Sequence, residues 1–434
     1  MKKVLPYMSL ITFFLLPLLY SRGVAYFILG LIFSFGVIFL TPTNFEGYLS
    51  RIFYWAFSFF GVSIFGMKLF DIVLLLGIVF ILFKNKKLYF NTNIIFLLPF
   101  FLYIIVFWFV FGLFQNTHYE NPGATLELFR YLLALLAIVV FSQLKTNFSK
   151  MIKWIDILAV GVIVQAIVML RLVGIQSYSS NILSVDLFSI DPMNPNSEVR
   201  ISGFFSDPNK MMAFFSILLL IRIAYLLLSD KNSNIWDYKS FIYILGTLIS
   251  LSRTGVIIAA LYTLLFCLGK IFKDNVKIDM VFIGISIGLG LILILLKDFI
   301  LTKISLIFSE ILSFFGRNRT AEIDSNVASD TRVLIWKQAS NYIIQRPIFG
   351  NGLLSESYLL PIPTHNTFMQ QLLDNGIVGT FLYFFSIFTL LMRQFGISLV
   401  FILIGIPMMF LDLGNFRIIF ALIGISLRIP RGKL

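Results

Sequence analysis

Cysteine is almost missing from this chain. Cys267 is the only one in 434 residues, and a single thiol inside an apolar run excludes both an intrachain disulfide and a cysteine-held metal. Histidine is nearly as scarce, with His118 and His365 alone. No Asp-x-Asp pair occurs of the kind that holds a divalent ion for nucleotide-sugar transfer, so no metal and no other cofactor is expected. Charge is thin as well: 13% of residues are charged against 59% hydrophobic, and the mean hydropathy is +0.94. That balance excludes an ordinary soluble domain.

Lysine and arginine outnumber aspartate and glutamate by 34 to 21, a net charge of +13. A nucleic-acid surface is excluded nonetheless, because the cations fall in short loops at alternate ends of apolar runs, as orientation signals do. The runs approach the roughly 20 residues a bilayer requires and recur along the whole chain. They read as an all-α polytopic helical bundle, with 1–434 a single transmembrane domain. Segments are expected at 5–20, 24–41, 52–66, 69–83, 94–114, 123–142, 152–173, 203–228, 238–252, 254–272, 280–297, 364–392, 395–411 and 416–428. The short ones leave the count at about twelve to fourteen. Lys2 and Lys3 precede a first run with no small-residue cleavage site behind it, so no cleavable signal peptide is expected.

With the N-terminus inside, Lys84, Lys86 and Lys87, then Lys145, Lys150 and Lys153, then Lys270, Lys273 and Lys277, and finally Arg428, Arg431 and Lys433 all fall on the inner side. Removing the 52–66 segment alone would put the first of these clusters outside, so it is retained, with a re-entrant or interfacial course as its alternative. Two outer loops then stand out by length, 174–202 and 298–363. The polar run from Arg317 to Asp330 in the second reads as a mobile, solvated stretch. Arg130 and Arg222 lie inside expected segments, where an inner-leaflet position or an internal partner is expected and no chemistry is assigned.

One stretch, Ser329–Gly379, is built differently from the rest. Asp330 is a candidate N-cap, Val333, Trp336 and Ile343 recur at helical spacing, and Pro347, Gly350 and Gly352 end the segment. Pro363, Thr364, His365 and Asn366 then open a long apolar run. An amphipathic helix, a loop and a membrane helix are expected, with Arg332 near the start of the first helix and His365 at the mouth of the second. Asn366, Gln370 and Asp374 recur every four residues, a polar stripe that must face protein or water rather than lipid.

An Arg and a Trp four residues apart, Pro347, Gly350-x-Gly352, His365-Asn366-x-Phe368 and Asp374-Asn375-Gly376 together resemble the carboxy-proximal motif of the O-antigen polymerase and O-antigen ligase superfamily of bacterial membrane glycosyltransferases. A second piece, Val199–Phe215, and a third, Ser250–Gly255, resemble it too. The resemblance spans roughly residues 60–395, and the sequence between the motifs adds nothing specific. It implies a C-class glycosyltransferase architecture in the bacterial inner membrane, with its site facing the periplasm. The implied substrate is a glycan on undecaprenyl diphosphate, and the implied partners are that lipid-linked oligosaccharide, membrane lipids and a chain-length regulator protein.

Such a diphosphate places negative charge beside an apolar tail, so Arg or a metal is needed at the membrane surface, and Arg suits it by its bidentate fork. The family's arginines fall on Arg200, Arg332 and Arg253, and its histidine on His365. Lys210 is a fourth outer-face cation. Arg253 reads either as facing a water-filled cavity or as a turn residue reaching to headgroups, and Asp207 with Lys210 either as an internal ion pair or as part of the site. His365 is either a helix cap or the acceptor of a proton from a sugar hydroxyl. The implied catalytic set is His365, Arg332 and Arg200, with Arg253, Lys210, Asn366 and Asp207 toward the diphosphate and glycan. The expected reaction moves a growing chain onto a lipid-linked repeat unit. Transfer to lipid A core, as by a ligase, and transport of a lipid-linked glycan are the alternatives, the last disfavoured by the lack of matching internal repeats.

Overall fold

The computed structural model describes residues 5–40, 45–59, 61–85, 92–114, 123–144, 148–171, 177–180, 182–185, 202–205, 207–228, 238–250, 255, 258–260, 325–395, 404–410 and 417–427. Arg200, Arg253, the expected 280–297 segment and most of 254–272 lie outside these residues. Helices dominate the described part, as an all-α membrane protein requires, because lipid offers backbone groups no partners and each segment must close its own hydrogen bonds. In chain order they are α1 (Leu5–Arg22), α2 (Val24–Val37), α3 (Phe45–Phe57), α4 (Leu69–Asn85), α5 (Leu98–Phe114), α6 (Gly123–Gln143), α7 (Phe148–Arg171), α8 (Pro208–Leu228), α9 (Tyr238–Ile249), α10 (Ser325–Gln345), α11 (Glu356–Leu359), α12 (Thr367–Phe395), α13 (Ile406–Phe410) and α14 (Arg417–Ser426). Among the described residues, Gly123–Gln143, Ile152–Met169 and Thr367–Met392 are long and apolar enough to cross a bilayer, and several apolar helices are shorter.

The helices share one core. α1 packs on α2 and α7, α9 on α8, and α14 on α6. Charges inside the bundle are paired, which is what makes them tolerable there. Arg222 donates to both Asp156 oxygens, at 3.3 and 3.2 Å, and the Tyr243 hydroxyl donates to Asp156 at 2.6 Å. Arg417 grips Asp71 through Nε and Nη2, the latter at 2.7 Å, and so fastens α14 to α4.

The expected 52–66 span is not a single helix. α3 ends at Phe57, and the chain turns back as a hairpin, β1 (Val62–Ile64) and β2 (Met67–Lys68), through Phe65 and Gly66 at φ 49 and 77°. β1 also pairs with β4 (Leu183–Val185), in register Ser63 to Ser184, and β4 pairs with β3 (Tyr178–Ser179). The result is a small sheet in the order β2-β1-β4-β3. A short apolar run that buries one face reads alike as helix or strand, which is why hydropathy did not separate them. The pairing joins 62–68 to the first long loop, so both lie at one end of the bundle. The same loop is pinned again where Phe204, fully buried, packs on Tyr20, Phe27 and Phe59 and accepts a bond from the Gly61 amide. The Ser-Gly-Phe-Phe motif is thus an anchor for the chain that follows Arg200.

The lysine pattern leads to the expectation that this end is outside. A cysteine introduced at Ser325 should therefore be labelled by an impermeant thiol reagent added from outside, and one at Asn232 should not. The opposite pattern reverses the orientation.

Candidate functional site

α10 starts at Ser325, so Asp330 lies within it instead of capping it, and 325–330 is helical where a solvated run was expected. The helix ends at Gln345, just ahead of Pro347. Ile335, Ala339, Tyr342 and Ile343 form its inward stripe and pack on Leu359, Leu360, Met369 and Leu373.

The loop after α10 runs into a break in α12. At Gly376 the backbone turns to φ 62, ψ −169°, a conformation open in practice only to glycine. The loop supplies the partners that the break leaves wanting. Asn351 N–H donates to Leu373 O at 2.8 Å and Gly352 N–H to Asp374 O at 2.9 Å. From the other side, Ile377 N–H donates to Pro347 O at 2.8 Å and Val378 N–H to Ile348 O at 3.2 Å. Gly350, at φ 76°, faces Gly376 so closely that a Cβ there would stand 2.5 Å from Asp374 O and from Gly376 N. Gly350-x-Gly352 and Asp374-Asn375-Gly376 are two halves of one interlock.

Beyond it, Glu356 opens α11 with its carboxyl buried. Its Oε2 accepts from both the backbone N–H and the hydroxyl of Thr364, each at 3.2 Å. Burial pushes this carboxyl up from its ordinary value, the two Thr364 bonds pull it back in part, and Glu127 adds to the rise. The Thr364 carbonyl accepts from the Trp336 indole at 2.8 Å. Next comes His365, half-buried and at φ 49°, in the left-handed region that non-glycine residues seldom occupy. Then Asn366 caps α12, its Oδ1 accepting from Phe368 N–H at 2.9 Å and Met369 N–H at 3.1 Å. His365 is therefore a strained residue between two anchored neighbours.

The polar stripe below faces protein, as expected. Gln370 and Asp374 are buried. Asp374 Oδ1 accepts from the Ser355 amide at 2.8 Å and hydroxyl at 2.6 Å. Gln371 donates to the Tyr131 hydroxyl at 2.6 Å and accepts from Asn375 at 2.9 Å. Glu127 of α6 lies within electrostatic reach of both Glu356 and Asp374, and pairs with Arg130 at 3.0 Å. Arg130 thus has the internal partner that was one of the two expectations for it. Arg130 and Lys68 also act on the Asp71 carboxylate. Sequence reasoning passed over Glu127, Tyr131 and Glu356, although a glutamate inside an apolar run three residues before an arginine is a signal in itself.

Among the other expected site residues, Arg332 lies on α10 one turn before Trp336, whose indole reaches the residue beside His365. Asp207 caps α8, its carboxylate accepting from Asn209 N–H at 2.7 Å and its carbonyl from the Lys210 and Met211 amides. α8 packs against α12. No group of three or more His, Cys, Asp or Glu side chains that could hold a metal occurs among the described residues.

Residues 240–384 match a family model described as O-antigen ligase. That range holds α10, the interlock, α11 and the first part of α12 with His365. The match supports the O-antigen ligase and polymerase superfamily that the motifs resemble. No curated protein matches the chain.

Proposed function

We propose, from the premise that this chain stands in the O-antigen ligase and polymerase superfamily, that it is an O-antigen or polysaccharide polymerase of the inner membrane, working at the periplasmic face. The observation that carries the site is the held strain at His365, between Thr364 and Asn366. Backbone strain of this kind persists only where neighbours over-determine it, and it gathers at functional sites.

The reaction is a displacement at the anomeric carbon of the glycan on undecaprenyl diphosphate. A hydroxyl oxygen of the incoming lipid-linked repeat unit forms the new bond, the anomeric carbon–phosphate oxygen bond breaks, and its electron pair leaves with undecaprenyl diphosphate. His365 takes the hydroxyl proton. Charge that grows on the leaving diphosphate is met by Arg200, Arg253 and Arg332, with Lys210, Asn366 and Asp207 toward the diphosphate and glycan. Arg130, beside Glu127 at the same end, adds to the cationic side. Fixed cations of this sort act mainly in the transition state, each worth roughly 100-fold or more. No nucleotide sugar takes part, because the donor is already activated as its diphosphate, and the arginines fill the charge-neutralising place that a metal would hold.

The matched family's description favours a second reading, in which the acceptor is lipid A core. Offering purified protein a labelled lipid-linked donor with either lipid-linked repeat units or lipid A core separates the two. Label in a ladder of longer lipid-linked glycans supports polymerase, whereas label on lipid A core alone overturns it. Arg332→Lys should lower the rate by roughly 100-fold at equal protein level, because an ammonium keeps the charge and loses the fork. Normal glycan length in cells carrying Arg332→Lys reduces that residue to a headgroup contact.

A further inference from the structure

We infer that Glu356 is the positioning residue for His365, acting through Thr364. The inference rests on the reading of His365 as the group that takes the acceptor's proton. Glu356 is itself buried and has no part in the transfer. What it does hold is the residue before His365, and it holds both of that residue's donors, N–H and Oγ1, on one carboxylate oxygen. The third polar group of Thr364, its carbonyl, is fixed by Trp336. With Asn366 locked into the α12 cap on the other side, the left-handed turn at His365 has little freedom to relax. Without Glu356, Thr364 keeps only its carbonyl bond from Trp336 and a hydroxyl contact to the Asn366 carbonyl at 3.3 Å, and the turn can move to an unstrained conformation that aims the imidazole elsewhere.

The other oxygen, Oε1, faces the Gln370 amide at 3.4 Å, and the Gln370 Oε1 is buried with no hydrogen-bond partner. A buried amide oxygen without a donor invites one. The groups that face Glu356 are Gln370 and Asp374 of α12, Thr364 of the loop, and Glu127 of α6 with its Arg130. Burial and the neighbouring carboxyls push the Glu356 carboxyl up, and a proton on Oε1 could be donated to the Gln370 oxygen once that amide turns over. The work of Glu356 therefore needs its shape and one acceptor oxygen, not its negative charge. A general base in the same place would need the charge.

The two roles separate on Glu356→Gln. Its amide oxygen can accept from both Thr364 donors while its amide nitrogen donates to Gln370. In detergent, with lipid-linked repeat units, Glu356→Gln should elongate at a rate within about threefold of the parent and leave the acidic limb of the pH–rate profile in place. Glu356→Ala should lose roughly 10- to 100-fold in kcat with KM little changed, the size expected when a reacting group is misplaced without being removed. Loss of activity in Glu356→Gln comparable to that in Glu356→Ala overturns the proposal in favour of a charged role. Full kcat per folded molecule in Glu356→Ala overturns it in favour of a purely structural one. If Glu356→Ala does not accumulate, Thr364→Val removes one of the two held donors and should lower kcat by several-fold, and an unchanged kcat there is equally fatal. His365→Ala is measured alongside. Full activity in His365→Ala refutes the role of the histidine itself, whereas a slow His365→Ala with a fast Glu356→Ala refutes only the positioning.

Discussion

Gly376→Ala should leave little or no folded protein in the membrane, the largest loss expected from the addition of one methyl group. Two costs add. An alanine at φ 62, ψ −169° is in a region that only glycine occupies with ease, at roughly 1 to 3 kcal/mol for the backbone alone. Its Cβ would also run into Ile348 O, which already accepts from Val378 across the break, and Gly350 N, which already donates to Arg346 O. Moving them would unmake the bonds from Ile377 and Val378 to Pro347 and Ile348, leaving groups unpaired inside α12 where lipid supplies no substitute. The measurement is the amount of monodisperse protein extracted in mild detergent, compared with Gly36→Ala, a helical position whose added Cβ meets nothing within 4 Å. Equal yields and melting temperatures for the two would show that the interlock is not what holds the loop to the helix.

His365→Ala should act in the opposite way, leaving the fold intact and removing the chemistry. The side chain is half-buried, and the turn is held on either side of it by bonds of Thr364 and Asn366. An alanine at φ 49° is mildly strained, which limits the structural cost to about 1 kcal/mol. A general base contributes typically 100- to 10,000-fold. The expected result is a fall of at least about 100-fold in kcat with KM within a few-fold of the parent, since a proton acceptor works in the transition state and adds little to ground-state binding. A rise in KM at constant kcat would make His365 a binding residue instead.

These two predictions sit on neighbouring residues of one motif, and they show what the sequence could and could not convey. His365 and the stripe through Gln370 and Asp374 were visible because a polar group at the head of an apolar run is costly unless it faces protein or water. The glycines of the motif were visible too, but as punctuation at the end of a helix. That Gly350 and Gly376 press against each other is a contact between residues 26 apart, and no local pattern encodes it. The hairpin at 62–68 was hidden for a related reason. Its strands are two and three residues long, and β1 pairs with β4 more than a hundred residues later, so hydropathy saw only an apolar run. Glu356 was passed over because an acid in a loop is ordinarily solvated, and only its burial under Thr364 gives it a task. Asp207 was read with Lys210 either as an internal ion pair or as part of the site, and the start signal Asp-Pro-Asn also describes the helix cap it makes.

The same comparison sharpens what Arg130 contributes. Its partner Glu127 was legible at three-residue spacing, but the end of the bundle to which the pair belongs was not, until Glu127 was found beside Glu356 and Asp374. A cation placed there, with about a third of its side chain open, belongs to the same face as His365.

The central claim is that this face lengthens a glycan already activated on its lipid. It is tested most directly by purified protein in detergent, given lipid-linked repeat units, EDTA and no nucleotide sugar, with products resolved by length. A ladder of longer lipid-linked glycans, released undecaprenyl diphosphate in step with each addition, and loss of both in His365→Ala are the predicted result. Protein that carries the same lipid across a vesicle membrane but never lengthens its glycan would contradict it.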